Sequence, residues 1–111
     1  MVTRRVPLRG EVWIIELDPT VGREIQKTRP CLVVSPDRLN RILDLHIVVP
    51  MTSGNRPAPF RIPVAFNGVD GLILGEQTRA VSRRRMRKRV GTVDDATVHE
   101  ALRVLREMFE D

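Results

Sequence analysis

Residues 22–35 read Gly-Arg-Glu-Ile-Gln-Lys-Thr-Arg-Pro-Cys-Leu-Val-Val-Ser, and the character of the chain changes half-way along them. The first part is a polar loop whose charged side chains are Arg23, Glu24, Lys27 and Arg29. Residues 31–34 are continuously apolar and predict a buried strand, with Pro30 at its entrance, where a missing N–H is tolerated. Because a rigid strand holds the polar groups beside it at a fixed angle, this junction is the predicted functional loop.

The composition is that of one globular domain. The chain has 111 residues, of which 41% are hydrophobic and 30% charged, which predicts a single domain over residues 1–111. No apolar run is long enough to cross a membrane and no leader-type segment is evident, so we expect a cytoplasmic protein. The one cysteine, Cys31, is expected to be buried and unreactive. The formal net charge of +5 favours a polyanionic partner, such as nucleic acid or an acidic protein segment.

Alternating and β-branched runs predict a mainly β chain. Strands are predicted at 10–17, 30–35, 46–51, 60–66, 72–74, 76–81 and 90–93, with a short helical piece near 39–43. Pro63 predicts an edge position for its strand, and Asn67-Gly68 followed by Asp70-Gly71 are expected to form the turn after it. Ser82 is expected to cap a short helical turn, and Asp94 to cap a C-terminal amphipathic helix. This pattern predicts a small antiparallel barrel with the C-terminal helix packed on it.

The residue inventory excludes several kinds of site. His46, expected at a strand edge, and His99, expected on a solvated helix face, are far apart in sequence, and neither a zinc-ligand spacing nor a nucleotide-binding glycine loop is present. Arg29 either binds a phosphate through its forked guanidinium or forms a structural pair with Glu24. The basic run at 83–89 is either a solvated face or a contact for a phosphate backbone.

Four motifs follow one another along the chain. They are Asp-Pro-Thr-Val-Gly-Arg-Glu at 18–24, Lys-Thr-Arg-Pro at 27–30, Val-Val-Pro-Met-Thr-Ser at 48–53 and Gly-Glu-Gln-Thr-Arg at 75–79. Together they resemble the MazF/PemK (Kid) toxins of bacterial type II toxin–antitoxin systems, and the similarity runs from residue 9 to the C-terminal helix. The resemblance implies an SH3-like barrel of the MazF/PemK/CcdB type that assembles as a homodimer.

The activity that the resemblance implies is that of an mRNA interferase. Such a toxin is a sequence-specific, metal-independent endoribonuclease that cleaves single-stranded RNA, often mRNA, and thereby inhibits translation and growth. It needs no cofactor, and a cognate antitoxin neutralises it through an acidic, disordered tail. Two alternatives stay open, namely a CcdB-like toxin that inhibits gyrase and a barrel that binds nucleic acid without catalysis.

The resemblance also assigns site residues. Arg29 and Thr52 match the catalytic arginine and threonine of the family, and Glu24 matches its loop glutamate. The segment at 25–27, Ile-Gln-Lys, departs from the glycine-containing loop of relatives. Since RNA supplies its own 2′-OH nucleophile, Arg29 is expected to stabilise phosphoryl charge and Thr52 to bind a phosphate oxygen, with Glu24 as the candidate general base. The expected RNA contacts are Thr20, Arg23, Lys27, Ser53, Glu76 and Gln77.

Overall fold

The computed structural model describes residues 5–19, 21–22, 24, 27–54 and 56–111. In these ranges the chain forms seven strands and two α-helices. The strands are β1 (Glu11–Glu16), β2 (Thr28–Val33), β3 (Leu45–Thr52), β4 (Arg61–Phe66), β5 (Val69–Leu74), β6 (Arg79–Ser82) and β7 (Met86–Thr92). The helices are α1 (Asp37–Ile42), between β2 and β3, and α2 (Asp95–Met108), after β7. In the described part of the chain, no helix is both long and apolar enough to cross a membrane.

The strands form one antiparallel sheet that curls into a barrel. Their order is β4-β5-β3-β2-β1-β7, and β6 lies beside β3. The two ends of this order approach each other, because a Cβ built on Gly91 of β7 would lie only 3.0 Å from the ring of Phe66 in β4. The expected small antiparallel barrel with a C-terminal helix is confirmed, and Pro63 lies in the terminal strand β4 as predicted.

The central strands bury both of their faces. Val12 of β1 and Leu32 of β2 pack in one cluster with Ala101 of α2. Trp13 and Cys31, the neighbours of these residues in the two strands, pack in a second cluster on the opposite face. Burial on both faces explains why residues 31–34 form a continuous apolar run rather than an alternating one. The barrel core therefore lies directly behind the polar loop that precedes β2.

The β4–β5 hairpin is tighter than the sequence predicts. Asn67 and Gly68 alone form its two-residue turn, with φ values of 51° and 76°. Asp70 and Gly71, predicted as part of the same turn, are instead inside β5. That prediction was wrong because an Asn-Gly turn of this type matches the twist of the two strands and needs no further residues.

The predicted strand at 76–81 is interrupted. Gly75–Gln77 forms a 3-10 turn, and strand structure resumes only in β6. β5 and β6 run along the same edge of β3, where β5 pairs with Thr52 and β6 pairs with Val48. The two β3 residues are four positions apart but their partners are seven apart, so three extra residues bulge out at the turn. A bulge re-aims side chains away from the pleat, which takes Glu76 and Gln77 out of the sheet.

His46 is buried inside the molecule, so the expected position at a strand edge was wrong. Its side chain is fully enclosed, and Nδ1 lies 3.1 Å from Oδ1 of Asn40 on α1. The Ser35 hydroxyl donates to the same Oδ1 at 2.6 Å, so a buried polar network joins α1 to the sheet. Burial, reinforced by the charge of Arg83, holds the pKa of His46 below its usual value, and Asp44 opposes this shift only in part.

Arginines of the basic run at 83–89 form hydrogen bonds and ion pairs with β1. Arg85 donates to the backbone carbonyl of Glu16 at 3.2 Å, and Arg87 pairs with the carboxylate of the same residue. Arg89 Nε donates to the buried Glu11 carboxylate at 2.7 Å. Since these guanidinium groups bind β1, neither a solvated face nor a stripe for phosphates describes the whole run.

Candidate active site

Arg29 and Thr52 lie at the same end of two neighbouring strands. Arg29 is the second residue of β2, so it belongs to the sheet and not to the loop in which the sequence places it. β2 and β3 pair antiparallel with Cys31 opposite Pro50, and the same register extended by two residues sets Arg29 opposite Thr52. Side chains of directly opposite residues project from the same face of a sheet, so we expect the side chains of these two residues to lie on one face.

Contacts with Gly54 and with Gly71 fix the position of Thr52. Its Oγ1 accepts a hydrogen bond from the N–H of Gly54 at 3.2 Å, in the turn that follows β3. From β5, Gly71 packs directly on the backbone of Thr52, because a Cβ built on Gly71 would lie 2.2 Å from the Thr52 carbonyl oxygen. Glycine permits such a close approach of two backbones. Ser53, a predicted RNA contact, follows Thr52 and is exposed.

The loop between β1 and β2 orders both Glu24 and Lys27. Glu24 is exposed, and its Oε1 accepts a hydrogen bond from the N–H of Val21 at 2.8 Å. Lys27 has a φ of 67°, and its N–H donates to the carboxylate of Asp18 at 3.0 Å. A hydrogen bond from the N–H of Leu17 to the Lys27 carbonyl, at 2.9 Å, closes the base of the loop. These hydrogen bonds hold the two ends of the loop together where it leaves the barrel.

A small polar pocket brings this loop together with the bulge after β5. Its volume is about 140 Å³, and it is lined by Glu24, Pro50, Glu76, Gln77, Thr78 and Arg79. Glu24 thus meets Glu76 and Gln77, two predicted site residues that are far from it in sequence. Two further predicted contacts, Thr20 and Arg23, lie outside the described residues.

Two arginines that the sequence analysis did not assign belong to this side of the site. Arg61 of β4 donates to Oε2 of Glu76 from Nε at 2.9 Å and from a terminal nitrogen at 2.7 Å. Arg79 lines the polar pocket and donates to the carbonyl of Leu17, at the base of the β1–β2 loop, at 3.1 Å. The motif at 75–79 contains Arg79 and could have indicated it, whereas nothing local to Arg61 indicates a partner fifteen positions away.

An apolar cleft opens on the other side of Thr52. Its volume is about 310 Å³, and it lies between the β4–β5 hairpin and strands β1, β2 and β7. The polar groups that line it belong to Thr52, Ser53 and Asn67, whereas most of its wall is formed by Ile14, Pro30, Val64, Phe66, Val69 and Val90. Thr52 therefore stands at the rim of an apolar cleft, and Pro50, two residues earlier in β3, stands in the polar pocket.

The Cys31 thiol lies behind the site and takes no part in its chemistry. Burial raises the pKa of the Cys31 thiol to about 12, and the positive charge of Arg79 only partly opposes this. The thiol is therefore protonated and unreactive at neutral pH. Among the described residues, no three His, Cys, Asp or Glu side chains are grouped so that they could hold a metal ion. The groups that this part of the chain brings to the site are guanidinium, hydroxyl, carboxylate and amide.

Comparison with known proteins identifies the family. The model of the PemK-like, MazF-like toxins of type II toxin–antitoxin systems matches residues 8–109. The chain belongs to this toxin family. Its relative Endoribonuclease PemK from Escherichia coli is 39% identical over 100 residues, which cover 85% of this chain and 75% of the relative. The resemblance of the four sequence motifs is thereby confirmed, and the family is one of endoribonuclease toxins.

Solved structures of PemK/MazF toxins share the fold. MazF from Deinococcus radiodurans has a TM-score of 0.85 to this chain at 26% identity, covering 95% of this chain and 97% of that one. A chain in the MazE–MazF crystal structure from the same organism has a TM-score of 0.72 at 27% identity, again covering 95% and 97%. Because these matches span nearly the whole chain, the barrel described above is the fold of a PemK/MazF toxin.

Proposed function

We propose that this toxin cleaves single-stranded RNA, above all mRNA, at a short recognition sequence and without metal or any other cofactor. The observation that carries the proposal is the register of β2 and β3, which extended by two residues sets Arg29 opposite Thr52. A guanidinium and a hydroxyl on one face are suited to hold a phosphodiester by its oxygens. RNA brings the nucleophile itself, its 2′-OH, so the reaction does not need an activated water.

In the proposed reaction the 2′-oxygen attacks the adjacent phosphorus in line with the 5′-oxygen. The bond from the 2′-oxygen to phosphorus forms and the bond to the 5′-oxygen breaks, which yields a 2′,3′-cyclic phosphate and a 5′-OH end. Arg29 stabilises the charge that develops on the phosphoryl oxygens, because a guanidinium keeps its proton at neutral pH. Thr52 Oγ1 accepts a hydrogen bond from Gly54, so its hydroxyl hydrogen can be donated to a phosphate oxygen.

Glu24 is the group that we assign as general base. Its carboxylate uses Oε1 to accept the N–H of Val21, and this bond orients the group on the exposed loop. A carboxylate has a second oxygen, which can accept the proton of the 2′-OH. The 5′-oxygen takes up a proton as it leaves, either from water or from the Arg29 guanidinium, which at once regains a proton from solvent because of its high pKa.

The RNA chain is held by contacts of two kinds in this proposal. Lys27 and Ser53 are exposed beside the site and contact the sugar-phosphate backbone, together with Thr20 and Arg23. The polar pocket contains the carboxylates of Glu24 and Glu76, which can accept hydrogen bonds from the N–H groups of unpaired bases. Glu76 and Gln77 therefore contact base edges.

The proposed partners are a second copy of the chain and a cognate antitoxin, and the proposed place of action is the cytoplasm. The antitoxin neutralises the toxin with an acidic, disordered tail that occupies the RNA site. The formal net charge of +5 supports both an anionic substrate and an acidic competitor. The MazE–MazF crystal structure from Deinococcus radiodurans supports a partner of this class.

The test uses purified protein, a long RNA and EDTA, with both product ends mapped. We expect discrete fragments that share one short sequence at the cut and carry 5′-OH ends. Arg29→Ala should reduce turnover by about 10²–10³, the usual cost of removing a group that stabilises transition-state charge. Arg38→Ala is the matched control, because it removes the same charge from an exposed position on α1.

Intact RNA after incubation with folded wild-type protein would exclude the nuclease. Inhibition of DNA supercoiling by gyrase, assayed with the same protein in a buffer that contains magnesium and ATP, would then favour the CcdB-like alternative. Retained RNA affinity without cleavage, reduced only modestly by Arg29→Ala, would favour a barrel that only binds. Cleavage that disappears in EDTA and returns with a divalent cation would contradict the metal-independent reaction.

A further inference from the structure

The apolar cleft beside Thr52 has no role in the reaction described above. Its volume of about 310 Å³ is at the lower end of the range of about 300–1,000 Å³ that is usual for small-molecule sites. None of the described residues that line it carries a charge, whereas two carboxylates and a guanidinium line the polar pocket on the other side. The cleft is thus built for a neutral, flat or apolar group, and not for a phosphate or an acidic side chain.

We propose that this cleft binds one unpaired base of the RNA, next to the cleaved phosphate, and that Asn67 hydrogen-bonds the edge of that base. This inference rests on the proposed nuclease activity. Thr52 connects the cleft with the site of cleavage. It lines the cleft, and it is also the residue that the extended strand register sets opposite Arg29. The cleft lies on the other face of the sheet from Arg29, and Thr52 is the last residue of β3. A nucleotide whose phosphate contacts Thr52 can therefore reach round the end of this strand and place its base in the cleft.

The chemistry of the cleft suits a base. A base has two apolar faces and a polar edge, and proteins bind unpaired bases by covering the faces and hydrogen-bonding the edge. Here Phe66 and Val69 offer apolar surface, and the Val69 side chain is exposed, with 55% of its surface accessible. The amide of Asn67 and the hydroxyl of Ser53 lie at the rim, where the edge of a base would be.

Asn67 can be changed without loss of the fold. It is the first residue of the β4–β5 turn and has a φ of 51°, which Gly and Asp also adopt in such turns. Asp70 supplies a charge control on the same hairpin. Asp70 pairs with Ala65, and the neighbouring β4 residues Val64 and Phe66 line the cleft, so Asp70 belongs to the outer face.

The experiment maps the base preference at every position around the cut, on a long RNA or a randomised pool. Asn67→Gly removes the amide, and Asn67→Asp combined with Asp70→Asn replaces donors by acceptors at constant net charge. We expect a change of about tenfold in preference at a single position beside the cut, with the other positions unchanged. Asp70→Asn alone should leave every preference unchanged.

Unchanged preference at all positions in both Asn67 variants would overturn the proposal. Loss of antitoxin inhibition or of dimerisation in these variants, with RNA preference intact, would also overturn it and assign the cleft to a protein partner. If wild-type protein does not cleave RNA, the proposed function fails first. In that case the base site is tested without cleavage, by the fluorescence of an uncleavable 2′-O-methyl RNA that carries 2-aminopurine. A fluorescence change that Asn67→Gly and Val69→Ala abolish supports the base site, and its absence in wild-type protein excludes it.

Discussion

Gly71 of β5 lies so close to Thr52 of β3 that a Cβ on it would be 2.2 Å from the Thr52 carbonyl oxygen. We therefore expect Gly71→Ala to displace the backbone that carries Thr52. A misplacement on the order of 1 Å at a reacting centre can cost up to about 10² in rate. The variant should lose most of its kcat with a smaller change in KM, and a clash in a packed region should lower stability by about 1–3 kcal/mol.

The matched control for this prediction is Gly54→Ala. A Cβ on Gly54 would lie 3.6 Å from Thr52 Oγ1, which is an ordinary van der Waals contact, and the N–H that bonds Oγ1 is retained. Steady-state cleavage of a short RNA substrate and urea unfolding measure both variants. Equal kcat in Gly71→Ala and wild type would show that β5 can yield without moving Thr52.

The ion pair between Arg61 and Glu76 should matter more for RNA than for stability. The two side chains are 23% and 35% exposed, and pairs of this kind contribute about 0.2–1 kcal/mol. Arg61→Gln leaves the Glu76 carboxylate without this partner beside a polyanionic substrate, so we expect KM to rise, most strongly at low salt. The double variant Arg61→Gln/Glu76→Gln should recover most of the loss. A double variant as poor as the single one would show that Arg61 contacts the RNA itself.

Glu11 is a buried carboxylate that holds Trp13. Its Oε1 accepts hydrogen bonds from the N–H of Leu8 at 2.9 Å and from Trp13 Nε1 at 3.0 Å, and Oε2 accepts one from Arg89 at 2.7 Å. Burial by itself would raise the pKa of Glu11, but these hydrogen bonds and the charge of Arg89 outweigh it and hold the pKa below 4.5. The group therefore contributes stability that is present above about pH 4.5 and is lost as pH falls through the lowered value.

We expect Glu11→Gln to lower the free energy of unfolding by about 1.5–3 kcal/mol, the usual value of hydrogen bonds to a charged group. Trp13 is the sole tryptophan of the sequence, so its fluorescence reports on this site during urea unfolding. Glu16→Gln is the control, because Glu16 pairs with Arg87 at the surface and should cost less than about 1 kcal/mol. Equal losses in the two variants would contradict the special role of Glu11.

His46 should make stability depend on pH near neutrality. Burial first, and the charge of Arg83 second, hold its pKa below the usual 6.5, although Asp44 opposes them. Between the lowered value and 6.5 the unfolded chain binds more protons than the folded one, so stability falls as pH falls through this window. The urea midpoint should be lower at about pH 5.5 than at about pH 7.5. His46→Gln should flatten this difference, and the exposed His99→Gln should preserve it.

Several features followed from local sequence because their causes are local. The apolar run at 31–34 predicted a strand buried on both faces, and Cys31 and Leu32 do pack in opposite clusters. Asp94 caps α2 as expected, with its carboxylate accepting the N–H of Thr97 at 2.9 Å. A helix cap or a hydrophobic period depends only on residues within a few positions of each other, so it can be predicted without knowing the fold.

Other features needed contacts between distant segments. The fully buried His46, the Arg61–Glu76 pair and the arginines that bind β1 each depend on a neighbour that the chain reaches only after folding. The turn at Gly75–Gln77 is another such case. It accommodates three residues that have no partner in β3, because β5 and β6 pair with the same strand in registers that differ by three.

The sequence by itself determined that this is a barrel of β-strands with a C-terminal helix, and its four motifs determined the toxin family. Apolar periodicity and turn residues decide which segments become strands, and spaced motifs record ancestry. The tertiary structure alone decided how the site is assembled. Its register of β2 and β3, extended by two residues, sets Arg29 opposite Thr52. It also puts Glu24 and Glu76 in one pocket and opens a cleft beside Asn67. Register and bulges depend on how whole strands pack against each other, and no short stretch of sequence contains that information.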